Sequence, residues 1–223
     1  MNRFESFWWY QARSWRRLFA VRRYPVMLDV PIESSHPSAL CRCAGILVTD
    51  PPYGIDFAGQ PTKWQRRAGK EAEGWDRETV PEVPTIAARY GEAFVWGGNY
   101  YALPLSRGWL CWTKPDAPPS MGSFELCWTS RSAVTRHLSR SISATNQERV
   151  GHPNQKPLHV MTWTLSFASL GTIIDPFMGS GTTLVAAKNL GRKAIGIERE
   201  ERYCEIAARR LGQGVLSFDG AVI

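Results

Sequence analysis

Asp175-Pro176-Phe177-Met178-Gly179-Ser180-Gly181-Thr182-Thr183 joins an apolar run, Thr172–Asp175, to a helix-forming stretch, Thr182–Leu190. The glycines at 179 and 181 allow a tight turn and a close backbone approach to a ligand. The helix that follows opens with unpaired N–H groups and the positive end of its dipole. Downstream, Lys193–Glu198 predicts another strand and Glu200–Leu211 another helix, with Tyr203, Ile206, Ala207 and Leu211 on one face. Strand, turn and helix in alternation predict an α/β fold, with a mostly parallel sheet and helices on both faces.

A loop of this kind suits a carboxylate or a phosphate. It lacks the Lys-Ser/Thr pair of the phosphate-binding lysine motif, so a carboxylate fits at least as well. Glu198 ends the next strand, 23 residues after Asp175, about where an acidic residue binds a ribose diol in nucleotide-binding α/β folds. A ligand with both a carboxylate and a ribose matches S-adenosylmethionine. The competing reading is a glycine-rich turn that binds nothing, with Glu198 as a solvated strand end.

Upstream, Gly45–Thr49 holds the apolar run Ile46-Leu47-Val48 and stops at Asp50-Pro51-Pro52-Tyr53-Gly54. This is how a buried parallel strand meets its carboxyl edge. The prolines remove two N–H donors and keep the backbone extended, so carbonyls project beside the Asp50 carboxylate. A carboxylate and a carbonyl can receive the two hydrogens of an exocyclic amine and aim its lone pair. Tyr53 is placed to stack on the base that carries the amine. The other reading is a rigid turn after a strand.

Between these motifs the pattern predicts a helix from about Pro84 to Arg89 and a strand Ala93–Trp96, closed by Gly97-Gly98-Asn99. Strands Trp109–Thr113 and Phe124–Thr129 follow, separated by a Pro/Gly-rich turn. Residues 130–150 read as basic, Ser-rich and irregular, and Pro157 as the first residue of a helix through Ala168. Tyr24–Val30 is a further candidate strand. Residues 1–24 form a basic aromatic arm, 55–82 a patternless polar loop, and 214–223 a tail around a single domain, 25–213.

The formal net charge is +7, which favours a polyanionic partner. The five cysteines show no C-x2-C spacing and are odd in number, which argues against a zinc site or a disulfide framework and for reduced thiols in the cytoplasm. No metal is expected. The apolar runs are too short to span a bilayer, and the basic N-terminus lacks the apolar core of a signal peptide. The many tryptophans are read first as core and sheet packing.

Together, Asp50-Pro51-Pro52-Tyr53, Asp175 to Thr183, and His152-Pro153-Asn154-Gln155-Lys156-Pro157 resemble the S-adenosylmethionine-dependent DNA amino-methyltransferases. With the catalytic motif first and the cofactor loop last, the order resembles the circularly permuted β group. The resemblance implies a Rossmann-like methyltransferase fold and a catalytic role for Asp50, Pro51, Pro52 and Tyr53. It implies cofactor contacts from Asp175, Phe177, Gly179, Ser180, Gly181, Thr182 and Glu198, with Asn154 and Lys156 holding the methionine part. Asp29 is its candidate acid near the cofactor adenine.

Asp at the first motif position resembles the adenine-N6 members, acting on a base flipped out of DNA. Cytosine N4, an RNA base, or a non-catalytic DNA-binding protein on a decayed fold are the alternatives. The family places a larger recognition region where this chain has only 130–150, so Arg131, Arg136 and Arg140 are the candidate DNA contacts. A homodimer, a restriction-modification setting and a bacterial or phage origin also follow from the resemblance alone.

Overall fold

The computed structural model describes residues 43–55, 76–119, 121–146 and 155–212. Among them, seven strands form one sheet in the order β5-β3-β4-β2-β1-β6-β7. They are β1 (Cys43–Thr49), β2 (Tyr90–Trp96), β3 (Trp109–Thr113), β4 (Phe124–Thr129), β5 (Arg136–Ser139), β6 (Ile173–Asp175) and β7 (Ala194–Gly196). Pairings β1–β2, β1–β6, β6–β7 and β3–β5 are parallel, whereas β4 is antiparallel to both β2 and β3. Six strands therefore point one way and β4 alone runs against them. The expected mostly parallel α/β sheet is observed.

Alternation along the central strands builds two cores. Ile46 and Val48 of β1, with Phe94 and Trp96 of β2, face helices α3 (Leu158–Leu165) and α4 (Thr182–Asn189) through Val160, Met161, Leu165, Ala186 and Ala187. Leu47, Ala93 and Val95 point the other way, onto Val83, Ile86 and Ala87 of α1 (Val83–Ala88). With both faces covered, β1 and β2 are apolar at nearly every position, as a central parallel strand must be. Trp96, Trp112 and Trp128 are all buried in these cores, in keeping with the packing role read for the tryptophans.

Two readings change. The described part of 130–150, residues 130–146, is not irregular: it contains β5 and a short helix, α2 (Ile142–Asn146). β5 has no apolar alternation because it is an exposed edge, held by main-chain pairing to β3 from Leu110↔Arg136 to Thr113↔Ser139. Asp116 tethers α2, its carboxylate accepting the N–H groups of Ile142 (2.6 Å) and Ser143 (2.9 Å). The helix expected to run through Ala168 stops at Leu165, and Pro157 is its N-cap rather than its first residue. Helix α5 (Glu201–Gly212) buries Tyr203 and Ala207. The Tyr24–Val30 strand, Asp29, the arm, the tail and most of the 55–82 loop lie outside the described residues.

Because β1, β2, β3, β5, β6 and β7 are co-directional, their carboxyl ends share one edge. Along it stand Asp50 to Tyr53, Gly97–Asn99, Lys114, Arg140, the Asp175–Thr183 loop and Glu198. The chain leaves β1 for β2 on one side, and later leaves β6 for β7 on the other. The crevice between β1 and β6 is thus the topological switch point, where open α/β sheets bind ligands.

Candidate active site

The two motifs flank that crevice and are tied together across it. Thr49 at the end of β1 donates its hydroxyl to Asp175 Oδ1 at the end of β6, at 2.8 Å. Asp175 is 1% exposed and also accepts the Phe177 N–H at 3.1 Å. Burial pushes its carboxyl up to about 6, against the lowering effect of hydrogen bonds from Thr183, Thr49 and Phe177. Asp175 shapes the loop from inside.

Gly181, at φ 78°, caps α4, whose start has no side-chain cap among the described residues. Thr182, Thr183 and Leu184 in the first turn are only 5%, 3% and 6% exposed. A buried helix start with no side-chain cap leaves N–H donors for an anionic ligand group. Glu198, just past β7, accepts the Gly179 N–H on Oε2 (3.0 Å) and the Glu200 N–H on Oε1 (2.9 Å). Each carboxylate oxygen keeps a further lone pair for a hydroxyl. Burial raises the Glu198 carboxyl against those N–H groups. From behind, Arg210 of α5 donates to the Ser180 carbonyl (2.7 Å) and hydroxyl (3.3 Å) and to Thr182 Oγ1 (3.0 Å). Phe177 packs against the second core. The loop can hold a molecule that bears a carboxylate and a diol.

On the other side, the Asp-Pro-Pro-Tyr backbone is pinned. Buried Asp76 accepts the N–H groups of Tyr53 (2.8 Å) and Gly54 (3.3 Å), and Tyr53 bridges Thr79. Pro51 is buried, and the Pro52 carbonyl takes the Tyr101 hydroxyl. Tyr53 does not present two free faces. Its ring stacks on Tyr100 at 5.1 Å and 19°, and its hydroxyl donates to Asp50 Oδ1 at 2.7 Å.

Lys156 reaches the same carboxylate, 3.1 Å from Asp50 Oδ1, and donates to the Tyr53 hydroxyl at 2.8 Å. It also donates to Glu125 Oε2, while Glu125 Oε1 pairs with Lys114. Burial lifts the Asp50 carboxyl; Lys156 opposes this, Glu125 adds to it, and the net direction is up. Burial pushes Glu125 up as well, but the Lys156 and Lys114 ammoniums outweigh it and hold the group at about 2. Burial would lower Lys156, yet Asp50 and Glu125 keep it above the ordinary lysine range.

Lys156, expected beside the cofactor, is therefore bonded at Asp50, and Asn154 lies outside the described residues. The three arginines are not brought together. Arg140 follows β5 on the carboxyl edge, its Nε buried without a hydrogen-bond partner among the described residues. Arg136 opens β5 nearer the opposite edge. Arg131 follows β4 on that opposite edge, paired with Glu92 at 3.2 Å and bonded to the Phe167 carbonyl. Sequence reading missed Glu125, Lys114, Asp76, Tyr100, Tyr101 and Arg210. Glu125 carried one signal, an acid inside the strand Phe-Glu-Leu-Cys-Trp-Thr.

The sequence model of the DNA methylase family matches residues 95–209, more than half of the 223-residue chain. The chain belongs to that DNA methylase family. The match begins in β2 and takes in Glu125, Lys156, the glycine loop and Glu198, while β1 and Asp50 precede it. The family member is 26% identical over 223 aligned residues to the type II methyltransferase M.HinfI of Haemophilus influenzae, covering 74% of this chain and 62% of that protein. It is 49% identical over 77 residues to the type II methyltransferase M2.LlaDCHI of Lactococcus lactis subsp. cremoris, covering 33% and 29%. It thus spans less than two thirds of the length of these relatives. The solved M1.HpyAVI–SAM complex superposes with a TM-score of 0.47 at 22% identity, covering 76% of this chain and 90% of that one.

Proposed function

We propose that this family member is a DNA methyltransferase that transfers a methyl group from S-adenosylmethionine to the N6 amino group of adenine. The observation that carries the reading is the Asp50 carboxylate at the end of β1, one strand from a carboxylate-and-diol loop at the end of β6, with the two joined by the Thr49–Asp175 hydrogen bond. Membership of the DNA methylase family supports the substrate class, and Asp at the first motif position supports adenine over cytosine. The acceptor motif precedes the cofactor loop in the chain, which supports the permuted order.

The uncapped start of α4 suits the cofactor carboxylate, and Glu198 suits its ribose hydroxyls. When bound, the cofactor would supply an electrophilic methyl group to the amine lone pair, with its sulfur as the leaving group. The residues of the chain do the rest. Asp50 accepts one amine hydrogen and orients the nitrogen, which is a poor nucleophile because its lone pair is delocalised into the ring. As positive charge develops on nitrogen, the same carboxylate stabilises it, and the proton then leaves through Asp50 to water. Tyr53 stacks on the flipped base once Tyr100 gives way. Arg140, on the edge that carries the site, is the best placed of the three arginines to meet a phosphate.

The test is incubation with labelled S-adenosylmethionine and unmethylated DNA, followed by digestion and mass identification of the nucleoside, with Asp50→Ala alongside. N6-methyladenine, lost in the variant, is expected. N4-methylcytosine corrects the target, and cofactor binding with no product on DNA removes the enzymatic reading.

A further inference from the structure

The Lys156 ammonium has three N–H donors and meets three acceptors: Asp50 Oδ1 at 3.1 Å, the Tyr53 hydroxyl at 2.8 Å, and Glu125 Oε2. Its side chain is 8% exposed. Glu125 in turn is held on its other oxygen by Lys114, whose side chain is also 8% exposed. The rings of Trp96 and Trp112 lie 5.0 Å from Lys156 Nζ and 4.8 Å from Lys114 Nζ. The result is a chain of alternating charges, Asp50, Lys156, Glu125 and Lys114, that starts at the acceptor carboxylate and ends inside the protein. Such a chain is costly to desolvate unless every member is paired, and here each is.

Its effect at Asp50 is asymmetric. Oδ1 receives both the Tyr53 hydroxyl and Lys156, whereas Oδ2 has no hydrogen-bond partner among the described residues. We propose that Lys156, anchored by Glu125 and Lys114, is a positioning residue for Asp50: it fixes Oδ1 and leaves Oδ2 as the atom that meets the amine. This rests on the methyltransferase reading and reassigns Lys156 within it, from cofactor ligand to holder of the acceptor carboxylate. Glu125 is what makes the arrangement selective. Without it, a buried ammonium with a spare N–H would slide between both Asp50 oxygens and neutralise the acceptor. With it, the ammonium is pulled to the Oδ1 side.

The charged and titratable groups that face Asp50 are Lys156, Glu125, Tyr53, Tyr101, Cys127 and Asp175. Lys156 favours its ionised form and Glu125 disfavours it. Removing each should therefore move the acid limb of a rate profile in opposite directions.

The experiment uses the full chain and its Lys156→Met and Glu125→Gln variants. It measures S-adenosylmethionine affinity by calorimetry and single-turnover methyl transfer to unmethylated DNA over a range of about pH 5 to 9. In Lys156→Met the affinity should stay within about threefold, transfer should fall by about 100-fold, and the acid limb should move to higher pH. In Glu125→Gln the affinity should again hold, while the limb moves to lower pH. A role in folding alone would not shift the limb in opposite directions. If Lys156→Met does not fold, Glu125→Gln decides: held affinity with a lowered limb supports the inference, and an unmoved limb overturns it. Loss of affinity by about tenfold in Lys156→Met with the limb unmoved makes Lys156 a cofactor ligand and also overturns it. If the unmodified chain transfers no methyl group, the methyltransferase reading falls and this inference with it. If it transfers normally while the variants behave as cofactor-site mutants, this inference falls alone.

Discussion

Gly97→Ala should disable the site from beneath. Gly97 follows β2 with φ 66°, and a Cβ there would lie 2.1, 2.4 and 2.7 Å from Cε1, Cδ1 and Cζ of Tyr53. A methyl group cannot share that space with a ring, so Tyr53 must leave. It then loses its hydrogen bond to Asp50 at 2.7 Å and its stacking on Tyr100 at 5.1 Å. The left-handed backbone costs alanine about 1 kcal/mol. The charge-assisted hydrogen bond is worth about 1.5–3 kcal/mol and the ring pair about 0.5–1.5 kcal/mol. Asp50 is 21% exposed, so water recovers part of this, and a net loss of about 3 kcal/mol is expected. For a domain of this size that lowers Tm by about 6–12 °C. In a Tyr53→Ala background the clash is gone and the same change should cost only about 1 kcal/mol. Thermal unfolding of the four proteins in this cycle measures the coupling. Equal costs in both backgrounds, or wild-type methyl transfer by Gly97→Ala alone, would show that Tyr53 does not depend on the space above Gly97.

Asp175→Asn should be at least as stable as the wild type near pH 8, because a buried carboxyl raised to about 6 binds its proton more tightly when folded. The sign is that of a raised group: its stabilisation is complete below its ordinary 3.8 and is lost as pH rises through about 6, worth at most about 3 kcal/mol. Melting curves at several pH values check this, and a wild-type–variant gap that ignores pH refutes it. Arg210→Met should raise KM for S-adenosylmethionine by about tenfold with kcat within about twofold, because it releases Ser180 and Thr182 without touching the acceptor side. Equal changes in both constants would count against a local role. Arg140→Ala should weaken DNA binding and lower the salt slope by about 0.9, whereas Arg131→Ala should leave both unchanged. Anisotropy titrations at several salt concentrations compare them, and a larger effect at Arg131 would put DNA on the other edge of the sheet.

Local chemistry made much of this protein readable. The apolar runs that became β1 to β4, the glycine stop after α4 and the strand-loop-helix around Gly179 and Gly181 all reflect short-range rules of burial period and turn geometry. β5 was not readable, because Arg-His-Leu-Ser is a strand only by pairing with β3. Glu125 and Lys114 were hidden for a related reason. Their partners lie on other segments, and a lone acid in a strand or a lysine at a strand end looks the same whether it faces water or a buried counter-charge. Lys156 was visible as part of a motif, but the motif cannot say which neighbour its ammonium meets.

By itself the sequence determined the α/β class, the order of the two motifs and the residue types at each, because periodicity and turn chemistry act between near neighbours. It took the folded sheet to set both loops over one crevice, Arg131 and Arg140 on opposite edges, and the grip on Asp50 through one oxygen. Those facts depend on strand order and strand direction, and sheet pairing sets both between segments that no local rule connects.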